Sequence, residues 1–211
     1  MRIIRIGFIL ILLLLLAGCK SESDEEDDDL ALYLTAVTQS YADQFNGTVQ
    51  QDINGVTATW MKCSQGQVWN SGTNDCSGTG GGTTYGAISL NFCALLTGSY
   101  SDCTTTDGVT PTATSGPAYD SCNGLSFAGK TNWRLPTRGE LTSLGAYVNR
   151  ESFLYMFPQT PDDKYFWTNE GNANQSDGSE AYVVAFATNT FNTEQIVQKD
   201  SVQYVRCIST N

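Results

Sequence analysis

The stretch WRLPTRGELTSL, Trp133 to Leu144, constrains the fold more than any other part of the chain. Trp133 and Leu135 alternate with Arg134 as in a short strand, and Pro136 keeps the residue before it extended. Thr137 is followed three residues later by Glu140, so a hydroxyl and a carboxylate can each cap an exposed backbone N–H in a reciprocal capping box. Leu141, Leu144 and Val148 then supply an apolar stripe, which predicts a helix over Thr137 to Val148. A strand, a proline stop and a capped, core-facing helix follow one another directly, inside a chain otherwise rich in Gly, Ser, Thr and Asn.

The beginning of the chain has a different character. Arg2 and Arg5 precede an unbroken apolar run from Ile6 that ends in Leu16-Ala17-Gly18-Cys19. The run is short for a membrane span, and a small-residue pair before a cysteine is the cleavage pattern of bacterial lipoproteins. Residues 1–18 are expected to be a signal peptide, with Cys19 becoming the lipidated N-terminus. Residues 19–29 then form an acidic tether, because KSESDEEDDD repels itself and has no apolar surface to bury. The chain carries 11 basic against 22 acidic side chains. It stays acidic when leader and tether are set aside, which argues against nucleic acid as a partner. The expected membrane contact is through the lipid, and the expected location is the cell envelope, at the outer membrane or cell surface.

No histidine occurs anywhere in the sequence. That removes Ser-His-Asp and Cys-His catalysis, His-ligated zinc and imidazole acid/base chemistry together. With Cys19 assigned to the lipid, Cys63, Cys76, Cys93, Cys103, Cys122 and Cys207 remain, an even set that reads as disulfides in an exported chain. No two of them form a short Cys-x-x-Cys knuckle, so a thiolate metal site is not expected, nor is any cofactor. Local spacing favours Cys63 with Cys76 and Cys103 with Cys122, each stapling a polar loop.

About 180 residues follow the tether, a length that suits one domain with a single core. Residues 30–46 are expected to be a short stalk or helix, since Leu30, Leu32, Leu34 and Val37 line one side. Val49, Ile53, Val56 and Trp60 flank Asn54-Gly55, a hairpin signal. AISLNFCALL, Ala87 to Leu96, places Ile88, Phe92 and Leu95 at helical spacing and predicts a first helix. Residues 97–124 read as a second stapled loop and Arg150 to Lys164 as irregular. AYVVAFA, from Ala181, is apolar on both faces, as a central strand would be. EQIVQ and VQYVRCI are expected to close the chain as a hairpin.

TWMKCSQGQ, NWRLPTRGELTSL, FWT, AYVVAF and YVRCI fall in an order that resembles the C-terminal domain of the Legionella collagen-like adhesin. The resemblance runs from about Gly47 to the C-terminus. It implies that residues 47–211 are an α+β, C-type-lectin-like domain, two helices flanking a small antiparallel sheet with long disulfide-stapled loops. It also implies a Cys93–Cys207 disulfide tying the first helix to the last strand, alongside Cys63–Cys76 and Cys103–Cys122. Kinship with a trimeric adhesin makes a homotrimer a possible assembly.

Trp60, Trp133, Arg134, Leu135, Glu140, Trp167, Tyr204 and Arg206 are expected to build scaffold. Function is expected in the loop from Asn169 to Glu180, where Asn169, Glu170, Asn172, Asp177 and Glu180 offer oxygens and amides suited to a sugar's hydroxyls or a cation. The Glu-Pro-Asn, Gln-Pro-Asp and Trp-Asn-Asp tripeptides of calcium-dependent lectins do not occur. Heparin-like ligands are poorly served, with Lys130, Arg134 and Arg138 the only local basic group. The sequence therefore points to a non-catalytic, lipid-anchored module that binds a surface glycan or a host or envelope protein. A structural envelope lipoprotein is the alternative, and a cysteine-dependent relative of the sulfatase-modifying oxidases a weaker one.

Overall fold

The structure is a computed structural model, and it describes residues 41–78, 84–93, 103–106, 109–174 and 178–210. The leader, Cys19, the tether and most of the expected stalk lie outside the described residues. Among those described, the chain is mostly β: 13 strands in four antiparallel sheets, with three short helices. This overturns the expected C-type-lectin-like plan of two helices flanking a small sheet.

The first sheet is ordered β1 (Tyr41–Asp43), β2 (Thr48–Ile53), β3 (Val56–Met61), β13 (Ile208–Thr210). β2 and β3 pair across Asn54-Gly55, both with positive φ (54° and 83°), the conformation that turns a chain with the twist of its strands. Val49 and Trp60 face each other there, fully buried. In place of the expected stalk or helix, Tyr41–Asp43 is an edge strand bonded to β2. A small second sheet, β4 (Val68–Asn70) with β5 (Asp75–Ser77), gives internal structure to the first polar loop.

The expected first helix is absent from its described part. Leu90–Asn91 is instead a strand, β6, paired with β12 (Val202–Gln203). The reason is visible in burial: Phe92 is enclosed against Trp167, ring centroids 5.3 Å apart, whereas Ile88 is 47% exposed. A helical stripe would have buried both. The rest of that expected helix, from residue 94, lies outside the described residues.

β7 (Thr104–Thr106) and β8 (Pro111–Ala113) lead to α1 (Pro117–Cys122), so the expected second loop also carries secondary structure. α2 (Arg138–Ser143) follows the opening junction, with both hydrogen bonds of the capping box formed. It ends at Ser143, short of the expected Val148. Leu144 is the C-cap, Gly145 presses on Asn192, and Asn149 begins a new helix, α3 (Arg150–Met156), in a region expected to be irregular.

The largest sheet is ordered β11 (Thr193–Gln198), β10 (Glu180–Ala185), β9 (Phe166–Gly171), β8, β7. β10 is an interior strand, paired with β11 on one side and β9 on the other, as its two apolar faces predict, with α2 packed on β9 and β10. The expected final hairpin does not form. EQIVQ pairs with β10, whereas VQYVRCI divides among β6, a parallel bridge from Tyr204 to Phe166, and β3. Phe153, Phe166, Phe186, Phe191 and Tyr204 form an aromatic cluster between α3 and the sheet, Phe153 stacking on Phe186 at 4.7 Å.

Three disulfides brace these layers: Cys63–Cys76, Cys93–Cys103 and Cys122–Cys207, with Cα separations of 5.4, 5.9 and 5.6 Å. The second and third replace the expected Cys103–Cys122 and Cys93–Cys207. Cys122 is the buried last residue of α1 and sits beside the buried Cys207, so the long-range bridge runs from α1 rather than from the Phe92-Cys93 segment that follows β6.

Candidate functional site

β9 and β10 position the residues singled out in the loop between them, because the loop starts and ends on adjacent strands. Asn169 and Glu170 belong to β9, Glu180 opens β10, and Asp177 lies outside the described residues. Asn169 donates its backbone N–H to Pro136 O at 2.7 Å, while its side-chain Oδ1 is buried with no hydrogen-bond partner. The Glu170 carboxylate accepts from the backbone N–H of Arg138, 2.8 Å away at the start of α2, where an anion is favoured. Asn172 is buried. Its amide donates to Glu180 Oε2 at 2.9 Å and its Oδ1 accepts from Asn174 N–H at 3.0 Å. Gln198 on β11 donates to the other oxygen of Glu180 at 3.2 Å.

The described carboxylates of the loop are therefore spent on the protein's own donors, in α2, in β11 and within the loop. Glu170 and Glu180 carry protein donors, and among the described residues no group of three or more His, Cys, Asp or Glu is placed to hold a metal ion.

The basic side chains are committed in the same way. Arg134 forks onto Glu140, Nη1 to Oε2 at 2.8 Å and Nη2 to Oε1 at 2.6 Å, and Glu140 also accepts the Thr137 N–H at 2.7 Å. Burial pushes the Glu140 carboxyl up, but the Arg134 fork and the Thr137 N–H outweigh it and hold the group below its usual value. Arg138 lies 4.4 Å from the centroid of the Tyr182 ring and 3.5 Å from Glu194. Arg150 donates to Phe186 O and to Asp162. Arg206 is fully enclosed. It donates to the carbonyls of Met61 and Lys62 and to the Thr160 hydroxyl, with Phe157 and Phe166 against its guanidinium. Burial pulls its pKa down to about 9, so it remains a cation at neutral pH.

Trp60, Trp133 and Trp167 fill core and find partners for their ring N–H groups. Trp60 donates to Gln51 Oε1 at 3.0 Å and Trp167 to Leu90 O at 2.7 Å. Tyr204 donates to Asp163 Oδ1 at 2.7 Å; burial and that carboxylate both raise its phenol well above the usual range. These side chains and Arg206 are scaffold: Trp60 and Trp167 lie on β3 and β9, while Tyr204 and Arg206 are buried in the segment between β12 and β13.

Two features were not legible in advance. Lys62 is 1% exposed, yet ion-paired with Asp43 and bonded to Asn74 Oδ1 at 3.0 Å, where Trp69 also donates at 3.1 Å. It locks the β4–β5 hairpin to the first sheet, and only the adjacency of Lys62 to Cys63 hints at it. The other is a cavity of about 370 Å³ on the outer edge of the largest sheet, lined by Tyr182, Glu194, Gln195 and Ile196. The alternating polar and apolar residues of TEQIVQ are its sole sequence signal.

A disulfide-braced, strand-rich domain whose described arginines are all engaged by its own groups is thus the class that fold and site define. The chain belongs to the Lcl C-terminal domain family, whose model matches residues 47–209. That family is a non-enzymatic, adhesin-like domain and suggests a secreted or surface protein. No curated protein matches the chain.

Proposed function

We propose that the chain is exported, lipidated on Cys19 and held at the cell envelope, where its Lcl C-terminal domain binds a glycan or protein ligand without chemistry. The observation that carries this reading is the family match, which spans almost all of the described structure. The leader, lipobox and acidic tether supply the route and the spacing. Pairing of all six remaining cysteines suits an oxidising compartment and leaves those six without a thiol for the oxidase alternative. Sulfated polysaccharide is disfavoured as ligand, since every described arginine is already held by the protein's own groups. A multivalent array of anchored copies would let weak single contacts add up.

The structural alternative draws support from the protein donors already held by Glu170 and Glu180. The discriminating experiment presents the full-length lipoprotein on vesicles to immobilised neutral glycans, sulfated glycans and matrix proteins. Retention above a Cys19-anchored tether alone, reduced by Glu180→Ala and Asn172→Ala, is expected; retention no greater than the tether across the panel sinks the adhesin reading and leaves the structural one.

A further inference from the structure

Among the described residues β11 is the outer edge of the five-stranded sheet, and no described strand pairs with its other side. The ladder bond from Lys199 N–H to Ser179 O fixes the phase of pairing with β10. Thr193, Gln195 and Val197 turn their backbone groups toward β10, so those of Glu194, Ile196 and Gln198 point outward. Such an edge is ordinarily blunted by charged side chains, above all lysine, by proline or by a bulge. TEQIVQ has no lysine, proline or bulge, and its one charge, Glu194, lies 3.5 Å from Arg138 of the same chain; the strand pairs with β10 in unbroken register and is exposed along nearly its whole length, with Ile196 45% accessible.

We infer that this edge is a self-association site, at which two copies of the chain join their β11 strands antiparallel about a two-fold axis at Ile196. The strand is complementary to itself in that register. Ile196 meets Ile196 of the second copy, and each Glu194 lies opposite a Gln198, so the only charged residue of the strand never faces itself. Every outward N–H and C=O of Glu194, Ile196 and Gln198 finds a partner. Tyr182 is the β10 neighbour of Ile196, so an apolar row of Tyr182, two isoleucines and the second Tyr182 crosses the joint. The added strand also covers the cavity beside Tyr182 and Ile196. A sugar is a poorer occupant, because the Arg138 guanidinium already lies over the Tyr182 ring that would stack on it. The contact is isologous and closes on itself, giving a dimer rather than a fibre, and rather than the homotrimer that the family resemblance allows.

The test uses the full-length protein in its own envelope. In the proposed register the Cα atoms of the two Ile196 residues lie about 5.5 Å apart, within reach of a disulfide or a short bis-maleimide. Ile196→Cys is therefore expected to give a covalent dimer on non-reducing gels, several-fold above Val68→Cys, an exposed position on β4. Co-expressed Glu194→Cys and Gln198→Cys copies test the register at two surface positions without touching Ile196; they should cross-link together, and Glu194→Cys alone should not. Ile196→Lys should reduce amine-reactive cross-linking of otherwise native protein to background. Equal yields from Ile196→Cys and Val68→Cys, linkage of Ile196→Cys to a different envelope protein, or higher oligomers lacking the Ile196 contact would each overturn the inference.

Discussion

Arg134 and Glu140 show how one side-chain pair can join two jobs. The carboxylate completes the cap of α2 and receives the guanidinium fork of Arg134, whose backbone makes an isolated bridge to Ile208, so it ties the helix start to the last strand. Its pKa is held below the ordinary 4.5, which means the unfolded chain takes up this proton more readily than the folded one. The stabilisation is thus complete above that ordinary value and lost as pH falls through the lower folded one. Asp43 behaves alike: burial raises it, but Lys62, the Phe45 N–H and Asn74 hold it down. Urea midpoints measured from neutral pH into the acid range should fall for the native protein. Glu140→Gln should be less stable at neutral pH yet show a shallower acid decline, retaining the part due to Asp43. Parallel declines for the two proteins would show that the fork does not shift the carboxyl.

At the scale of elements, α2 is six residues long, too short to persist without its cap and its packing on β9 and β10. Thr137→Ala removes the hydroxyl that accepts the Glu140 N–H and should cost about 1 kcal/mol, read as a lower urea midpoint with an unchanged slope. Thr137→Ser should recover most of it. What was legible in the sequence follows the same division. The cap, the Asn54-Gly55 hairpin and the two-sided apolar strand β10 are specified by neighbours in the chain, and each stands where it was expected. AISLNFCALL and VQYVRCI are decided by distant partners instead. Leu90–Asn91 becomes a strand because Val202–Gln203 reaches it, and Ile208–Thr210 leaves its neighbours to pair with β3. The loop of Asn169, Glu170, Asn172 and Glu180 was legible as polar surface. That Gln198 and the start of α2 occupy two of its carboxylates depends on tertiary contacts no local pattern encodes.

Across the whole molecule, the disulfides distribute constraint unequally. Cys63–Cys76 and Cys93–Cys103 close loops of 13 and 10 residues, whereas Cys122–Cys207 spans 85 and joins α1 to the last strand region. In the chain-entropy account, the short bridges restrict the unfolded state by roughly 3 kcal/mol each and the long one by about 4.5 kcal/mol. Local spacing favoured Cys63–Cys76 and a Cys103–Cys122 staple, but the long bridge that Cys122 makes instead has the larger share in holding the fold, because it joins segments that nothing adjacent in the chain brings together. Non-reducing peptide mapping should recover Cys122 linked to Cys207 and Cys93 linked to Cys103; recovery of Cys93 with Cys207 would require a different packing of β6 on the core. Cys122→Ala with Cys207→Ala should then lower the unfolding free energy by more than Cys93→Ala with Cys103→Ala, by about 2 kcal/mol on the same account. Equal losses would mean that the unfolded chain already keeps α1 near the C-terminal strands, and that the core rather than the cystine determines their contact.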